Sequence, residues 1–168
     1  MDAEELRDLQ APLKQQYKDD PASALWQLTA EGSLHQARVT CRIESGASKP
    51  EAGLHPATGG DGSYACSGDM LLESLAACAG VTLTVVATAL GITLTRGQVH
   101  AEGDLDFRGT LGVSKEVPVG FSDIRLRFDL ESDATPEQLA SLLKLTERYC
   151  VIFQTLSQPP AISVAINP

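Results

Sequence analysis

The longest apolar segment of the chain reads SGDMLLESLAACAGVTLTVVATALG and spans residues 67–91. The stretch from Leu75 to Leu94 carries no charge, and its length of about 20 residues is enough to cross a bilayer as a helix. However, it is rich in Ala, Thr and Gly rather than Leu and Ile, and no Lys/Arg cluster flanks it. We therefore expect a helix buried on nearly all sides inside a soluble domain, with no membrane partner.

Local signals place the ends of this helix at about Asp69 and Leu90. Ser67 is a suitable N-cap, the Asp69 carboxylate suits the positive end of the helix dipole, and Gly91 suits the position after the C-cap. One stripe of the helix contains Leu71, Leu75, Cys78, Thr82 and Val85. The thiol of Cys78 is therefore predicted to face the same way as core leucines.

A second helix is predicted to begin with a capping box. Thr135 is its N-cap, Pro136 its first helical residue and Gln138 the partner of the cap. Its inward stripe contains Leu139, Leu142, Leu143, Thr146 and Cys150. We therefore expect Cys150 to face the core from the C-terminal end of this helix.

Alternation of apolar and polar residues predicts strands outside the two helices. They cover residues 25–29, 38–43, 99–107 and 124–131, and a closing run with Ile162, Val164 and Ile166. Cys41 faces inward with Val39 and Ile43, so packing is the favoured role for this cysteine. The order of elements predicts an α+β fold, with helices packed against a largely antiparallel sheet.

The domain organisation follows from the same patterns. The first residues are helix-compatible, although Pro12 is expected to divide them into one or two short helical pieces. We predict a helical appendage over residues 1–24 and one domain over residues 25–168. Residues 44–68 form the longest irregular stretch, rich in Gly and Pro, and a loop of this length is usually functional.

Charge narrows the set of partners. The formal net charge is -9 and the pI is about 4.7, so no nucleic-acid partner and no anionic lipid surface is expected. The Met-Asp-Ala-Glu-Glu start has no basic region before an apolar run, and we therefore expect a cytoplasmic protein.

The cysteines are the candidate reactive groups, because thiols in a cytoplasmic chain are rarely structural disulfides. The chain has Cys41, Cys66, Cys78 and Cys150, without a C-x-x-C pair and without a short spacing to a histidine. Structural zinc sites usually show close ligand pairs, so neither a metal nor another cofactor is predicted. Cys66, directly before the first helix, is interpreted as a plain loop cysteine.

Two inward-facing thiols on different helices allow two interpretations. One is packing, since free cysteines are among the most buried residues. The other is a redox pair, in which one thiolate attacks a peroxide and the resulting sulfenic acid condenses with the second thiol. Attack needs a thiolate, which a nearby cation favours. Arg38 or Arg42 would supply that cation, and the Asp69 carboxylate would orient it.

The segments around two cysteines resemble those of the OsmC/Ohr family. Residues 67–78 resemble the family segment in which an acidic residue, a leucine/alanine run and the peroxidatic cysteine begin the central helix. Residues 142–156 resemble the segment of the second cysteine. Residues 105–109 and the turn at residues 120–121 look like the OsmC-like branch. The resemblance extends over roughly residues 26–167.

This resemblance implies an intertwined homodimer with long central helices packed inside, and a thiol-dependent peroxidase that reduces organic hydroperoxides to alcohols. By position, Cys78 matches the attacking cysteine and Cys150 the resolving one. Asp69 stands where the family has the glutamate that holds a catalytic arginine, and Arg38 is the candidate for that arginine. A lipoyl protein or a small dithiol would reduce the resulting disulfide. The implied role is antioxidant, in the response to oxidative stress.

The chain departs from the family pattern at three places. Ser67-Gly68-Asp69 replaces Asn-Pro-Glu, Val151 follows Cys150 where proline is frequent, and the first hairpin offers His35 or Gln36 near the place of the arginine. Two alternatives to the peroxidase therefore remain. One is a non-enzymatic member that senses redox state or binds a small ligand, and the other is a purely structural thiol pair.

Overall fold

The structure is a computed structural model that describes residues 1–46 and 48–167. Its helices are α1 (Ala3–Asp19), α2 (Ser67–Leu90), α3 (Phe107–Thr110), α4 (Pro136–Tyr149) and α5 (Val151–Ser157). Its strands are β1 (Gly32–His35), β2 (Thr40–Ile43), β3 (Glu51–Ala52), β4 (Leu94–Asp104) and β5 (Asp123–Ser132). Three 3-10 turns lie at Pro21–Ala24, Gln36–Arg38 and Pro56–Thr58. This α+β architecture confirms the predicted fold class.

The strands form two sheets. In the first, β2 lies between β1 and β3 and pairs antiparallel with both, so that Leu34 is opposite Cys41 and Arg42 is opposite Glu51. The second sheet consists of β4 and β5. Along β5, half-buried and exposed residues alternate at every position, which confirms the one-sided burial predicted for this strand.

The chain contains two compact units. The first unit comprises Met1–Arg7, Ser74–Val99 and the chain from Phe128 onward; the second comprises Asp8–Glu73 and His100–Arg127. The predicted division into an appendage over residues 1–24 and a domain over residues 25–168 remains a prediction.

The core of the first unit lies between α2 and α4. Its buried side chains are those of Leu83, Val86, Ala87, Ile92 and Leu142. Gly91 ends α2 with φ of +69°, and the N–H groups of Gly91 and Ile92 donate to the carbonyls of Thr88 and Ala87, which is a Schellman motif. Gly91 is thus confirmed at the position after the C-cap. The predicted capping box of α4 is also present.

The N-terminal helix differs from its prediction. Pro12 lies inside α1, yet the helix continues through it to Asp19. A proline removes one helical N–H and leaves the carbonyl of Asp8 without its partner. Because Asp8 and the residues beside Pro12 are exposed, water can hydrate that carbonyl, and a single helix of 17 residues forms instead of one or two short pieces.

Several predicted strands are wrong in their extent. Residues 25–29 and the closing run with Ile162, Val164 and Ile166 are irregular, and within the described residues neither run pairs with a strand. Alternation makes a segment suitable for a sheet, but a strand also needs a neighbour for its backbone groups. Phe107 starts α3 rather than ending a strand, because the Asp106 side chain accepts a hydrogen bond from the N–H of Arg108 and caps that helix.

The start of β2 is also shifted. Val39 adopts a left-handed conformation with φ of 54° and is exposed, so the strand begins at Thr40 instead of Arg38. Thr40 is buried, Cys41 is half-buried and Arg42 is exposed. Thr40, rather than Val39, therefore provides the buried end of this strand.

The prediction that α2 is buried on nearly all sides is wrong for the single chain. Only 28% of its most apolar window is buried, although the helix is long and apolar enough to cross a membrane by length and composition. The buried stripe contains Leu75, Ala79, Leu83, Val86 and Ala87. Cys78 and Thr82 are half-buried beside this stripe, and Val81 on the opposite side is 66% exposed.

Candidate active site

The candidate active site is a pair of thiols in the first unit. Cys78 lies in the middle of α2 and is half-buried. Cys150 is fully buried, at 0% exposure, and it is both the C-cap of α4 and the N-cap of α5. Its extended backbone, with ψ of 110°, separates the two helices, so Cys150 lies at a helix junction rather than within a helix. Both are free cysteines.

The structure brings these two thiols together. Four potential hydrogen-bond donors adjoin the Cys78 sulfur: the backbone N–H of Ile152, the Cys150 side chain, the N–H of Val151 and the Thr82 hydroxyl. Burial alone raises the pKa of Cys78, but these donors together outweigh burial and lower the pKa below its ordinary value. Cys78 is therefore the thiol that ionises first.

Cys150 has the opposite electrostatic character. Burial raises the pKa of its thiol, and the adjacent Cys78 raises it further, while the N–H of Phe153 opposes them. Ionisation of one thiol disfavours ionisation of the other, since two neighbouring negative charges repel each other. Within the pair, Cys78 is therefore the more acidic thiol and Cys150 the less acidic one.

The backbone donors to Cys78 come from the start of α5. The first N–H groups of a helix have no partner within the helix. In α5 the first intrahelical bond is donated by Gln154 to the carbonyl of Cys150, which leaves the N–H groups of Val151 and Ile152 free for the sulfur of Cys78. Partial positive charge at a helix start favours a thiolate.

The arginines named from the sequence lie in the second unit. Arg38 contacts Glu51 at 3.4 Å, and Arg42 contacts the other carboxylate oxygen of Glu51 at 3.5 Å. The Thr40 hydroxyl donates a hydrogen bond to the Glu51 carboxylate at 2.7 Å. This hydrogen bond is the main cause that lowers the pKa of Glu51, and the positive charges of Arg38 and Arg42 lower it further. Glu51 thus holds two guanidinium groups.

Asp69 does not join this cluster. It lies exposed in the first turn of α2, and within residues 1–46 and 48–167 it forms no ion pair with Arg38. The roles assigned to Asp69 and Arg38 by resemblance remain predictions. Glu51 was not singled out in the sequence, since its position opposite Arg42 depends on the pairing of β2 with β3.

The other two cysteines belong to the second unit, whereas the thiol pair belongs to the first. Cys41 and Cys66 are half-buried free cysteines. The Cys66 carbonyl accepts the N–H of Met70, so Cys66 precedes the first turn of α2 in the place predicted for Ser67. Among the described residues, no three His, Cys, Asp or Glu side chains are grouped as metal ligands.

Sequence reasoning missed three contributors to the site. The N–H groups of Val151 and Ile152 became donors only because the chain bends at Cys150, and no Gly or Pro marks that bend. Thr82 gave a signal, since it is the polar member of an otherwise apolar stripe, one helical turn after Cys78.

The chain thus combines an α+β fold with two adjacent cysteines at a helix junction. The family model described as OsmC-like protein matches residues 60–165. The chain belongs to the OsmC-like protein family, which confirms the resemblance inferred from the sequence. A comparison with curated proteins gives no match.

Solved structures of this family share the fold. An OsmC-like protein from Mycoplasma pneumoniae has a TM-score of 0.66 at 16% identity, and the alignment covers 80% of this chain and 89% of that one. An organic hydroperoxide resistance protein from Elizabethkingia anophelis has a TM-score of 0.62 at 15% identity, covering 80% and 91% of the two chains. The organic hydroperoxide resistance protein of Bacillus subtilis has a TM-score of 0.55 at 16% identity, covering 79% and 93%. At these identities the similarity establishes the fold.

Proposed function

We propose that this chain is a thiol-dependent peroxidase that reduces organic hydroperoxides to alcohols. The observation that carries the proposal is the contact between Cys78 and Cys150, whose pKa values are shifted in opposite directions. An attacking thiol must be ionised, and a resolving thiol must lie within reach of it. The names of two structural relatives, which are organic hydroperoxide resistance proteins, support this choice of substrate.

The reaction has two steps on the protein. The Cys78 thiolate attacks the terminal oxygen of the hydroperoxide, an S–O bond forms, and the O–O bond breaks to release an alkoxide that takes a proton and becomes the alcohol. The Cys150 sulfur then attacks the sulfenic acid of Cys78, so that an S–S bond forms and water leaves. A dithiol, supplied as a lipoyl protein or a small thiol, reduces this disulfide by exchange.

A peroxide-consumption assay tests the proposal. We expect the wild-type chain to consume cumene hydroperoxide with dithiothreitol or dihydrolipoamide, and Cys78→Ser to abolish turnover. Cys150→Ser is expected to stop multiple turnover while leaving a sulfenic acid on Cys78 that dimedone traps. Cys66→Ser is the matched control and is expected to remain active. If the wild-type chain consumes peroxide no faster than Cys78→Ser, the peroxidase proposal is rejected in favour of a redox-sensing or ligand-binding protein.

We further propose that the chain is a cytoplasmic homodimer. Large exposed apolar areas on a single chain mark an interaction surface. Large apolar side chains are exposed on both helices. On α2 the exposed fractions are 66% for Val81, 37% for Val85 and 41% for Leu90, and on α4 the fraction is 46% for Leu143. A second copy packed on these helices would bury them. Analytical ultracentrifugation is expected to show twice the chain mass, and a monomer at micromolar concentration would exclude the dimer.

A further inference from the structure

The backbone hydrogen bonds of α4 are interrupted where the chain bends at Cys150. The N–H of Cys150 donates to the carbonyl of Thr146 at 2.9 Å, and the N–H of Gln154 donates to the carbonyl of Cys150 at 2.9 Å. In the described part of the chain, none of residues 151–153, which lie between these two bonds, donates to the carbonyl four residues earlier. A continuous helix would form these three bonds. Another interaction must therefore favour the bent backbone.

The side chain of Gln154 supplies such an interaction. Gln154 is half-buried in α5, and its Nε2 group donates to the carbonyl of Glu147 in α4 at 2.8 Å. In a continuous helix the N–H of Val151, four residues after Glu147, would donate to that carbonyl. The glutamine amide therefore takes the place of the missing backbone donor and caps the last turn of α4.

This hydrogen bond is specific to the bent chain. Gln154 and Glu147 are seven residues apart, which corresponds to about 10 Å along a straight helix, farther than a glutamine side chain extends. In a straight helix the backbone would also occupy the Glu147 carbonyl. An interaction that is present in only one of two conformations shifts the population toward that conformation. The amide of Gln154 therefore favours the bend.

We infer that Gln154 is a positioning residue, whose side chain keeps the chain bent at Cys150 and thereby holds the Cys150 thiol in place for Cys78. The inference rests on the proposed function, in which these two thiols form a disulfide. Cys150 is buried and has an extended backbone, with ψ of 110°. Straightening the chain requires ψ of about -42°, which would redirect α5 relative to the thiol. Because disulfide geometry is narrow, we expect the bend to control how readily the pair is oxidised.

The test measures the equilibrium of the Cys78–Cys150 disulfide in a glutathione redox buffer at neutral pH. Glutathione disulfide accepts two electrons from the pair and leaves as two thiols, so no hydroperoxide is needed. A Cys41→Ser/Cys66→Ser background leaves these two thiols as the reactive ones. Alkylation of the quenched samples and mass spectrometry give the oxidised fraction.

Two variants and one altered background separate the bend from other effects. Gln154→Met preserves the helix propensity and removes the donor. Gln15→Met is the matched control, since the Gln15 amide donates to Asp19 at 2.9 Å within α1 and spans no bend. Val151→Pro is the altered background, because proline is tolerated at the first position of a helix, has no N–H and favours an extended backbone in the preceding residue. Proline would thus maintain the bend without Gln154.

We expect Gln154→Met to lower the equilibrium constant for disulfide formation about threefold to tenfold, the effect of one hydrogen bond. Gln15→Met should change it less than about twofold. In the Val151→Pro background, where the backbone itself maintains the bend, Gln154→Met should also change it less than about twofold.

An unchanged equilibrium in Gln154→Met, or an equal loss in Gln15→Met, would overturn the inference. An equal loss in the Val151→Pro background would show that the amide does not act through the bend, and it would overturn the inference as well. A chain with native Gln154 that forms no disulfide would reject the proposed thiol pair together with the inference. A chain that forms the disulfide but consumes no hydroperoxide would reject the peroxidase alone and leave the role of Gln154 standing.

Discussion

The carboxylate of Glu51 contacts the guanidinium of Arg38 at 3.4 Å. The family resemblance had predicted this ion pair for Asp69 instead. Antiparallel pairing of β2 with β3 brings Glu51 opposite Arg42, and the Thr40 hydroxyl fixes the same carboxylate. Glu51 is only 17% exposed. Because the Glu51 carboxylate is partly sheltered from water, salt screens its ion pairs less than it screens a fully exposed ion pair.

If Arg38 takes part in peroxide reduction as the family resemblance implies, Glu51 is the carboxylate that orients it. We therefore expect Glu51→Gln to lower kcat/KM for cumene hydroperoxide about tenfold, which corresponds to the loss of one charge-assisted contact. The matched variant Asp69→Asn should change kcat/KM less than about twofold. A loss confined to Asp69→Asn would instead restore the role that the resemblance implies for Asp69.

The opposite pKa shifts of the two thiols predict an order of modification. The pKa of Cys78 is lowered and that of Cys150 is raised, so as pH rises the thiolate forms first on Cys78. One equivalent of iodoacetamide at neutral pH should therefore label Cys78 several times faster than Cys150, as read by peptide mass spectrometry. Cys150→Ala removes one donor to Cys78 and should move the alkylation profile of Cys78 to higher pH. Equal labelling of both thiols would contradict the asymmetry.

The features that the sequence predicted correctly depend on neighbours a few residues apart. The capping box at Thr135 and the stop at Gly91 are formed by the residues that give the signal, and both are present. The alternation of β5 is local in the same sense.

The incorrect predictions concern partners that are distant in sequence. The segment with Ile162 and Val164 has the alternation of a strand, but alternation does not specify which strand would pair with it. The donors to Cys78 depend on the bend at Cys150, where no residue with a strong turn preference stands. The pairing of Cys78 with Cys150 was therefore predicted from the resemblance alone. In the structure the two side chains adjoin each other.

The capping box should contribute measurably to the stability of the helix that leads to Cys150. The N–H of Thr135 donates to Gln138 at 2.8 Å, and the Thr135 hydroxyl accepts the N–H of Gln138 at 3.3 Å. Thr135→Ala should lower the free energy of unfolding by about 1 kcal/mol in urea denaturation. Ser141→Ala, which removes a hydroxyl that bonds the Glu137 carbonyl within the same helix, should change it by less than about 0.5 kcal/mol. Equal effects of the two variants would argue against a special role for the cap.

The C-terminal segment should stabilise the proposed homodimer. Ile162, Val164 and Ile166 are 84%, 90% and 90% exposed in the single chain, and they alternate as the buried face of a strand would. Burial of one such side chain contributes about 1.5–3 kcal/mol, so replacing all three by serine should raise the dimer Kd at least about tenfold. Ala161→Ser with Ala165→Ser changes the opposite face and should leave the Kd unchanged. Sedimentation equilibrium measures both, and a triple variant that remains as tightly dimeric as wild type would show that this segment lies outside the interface.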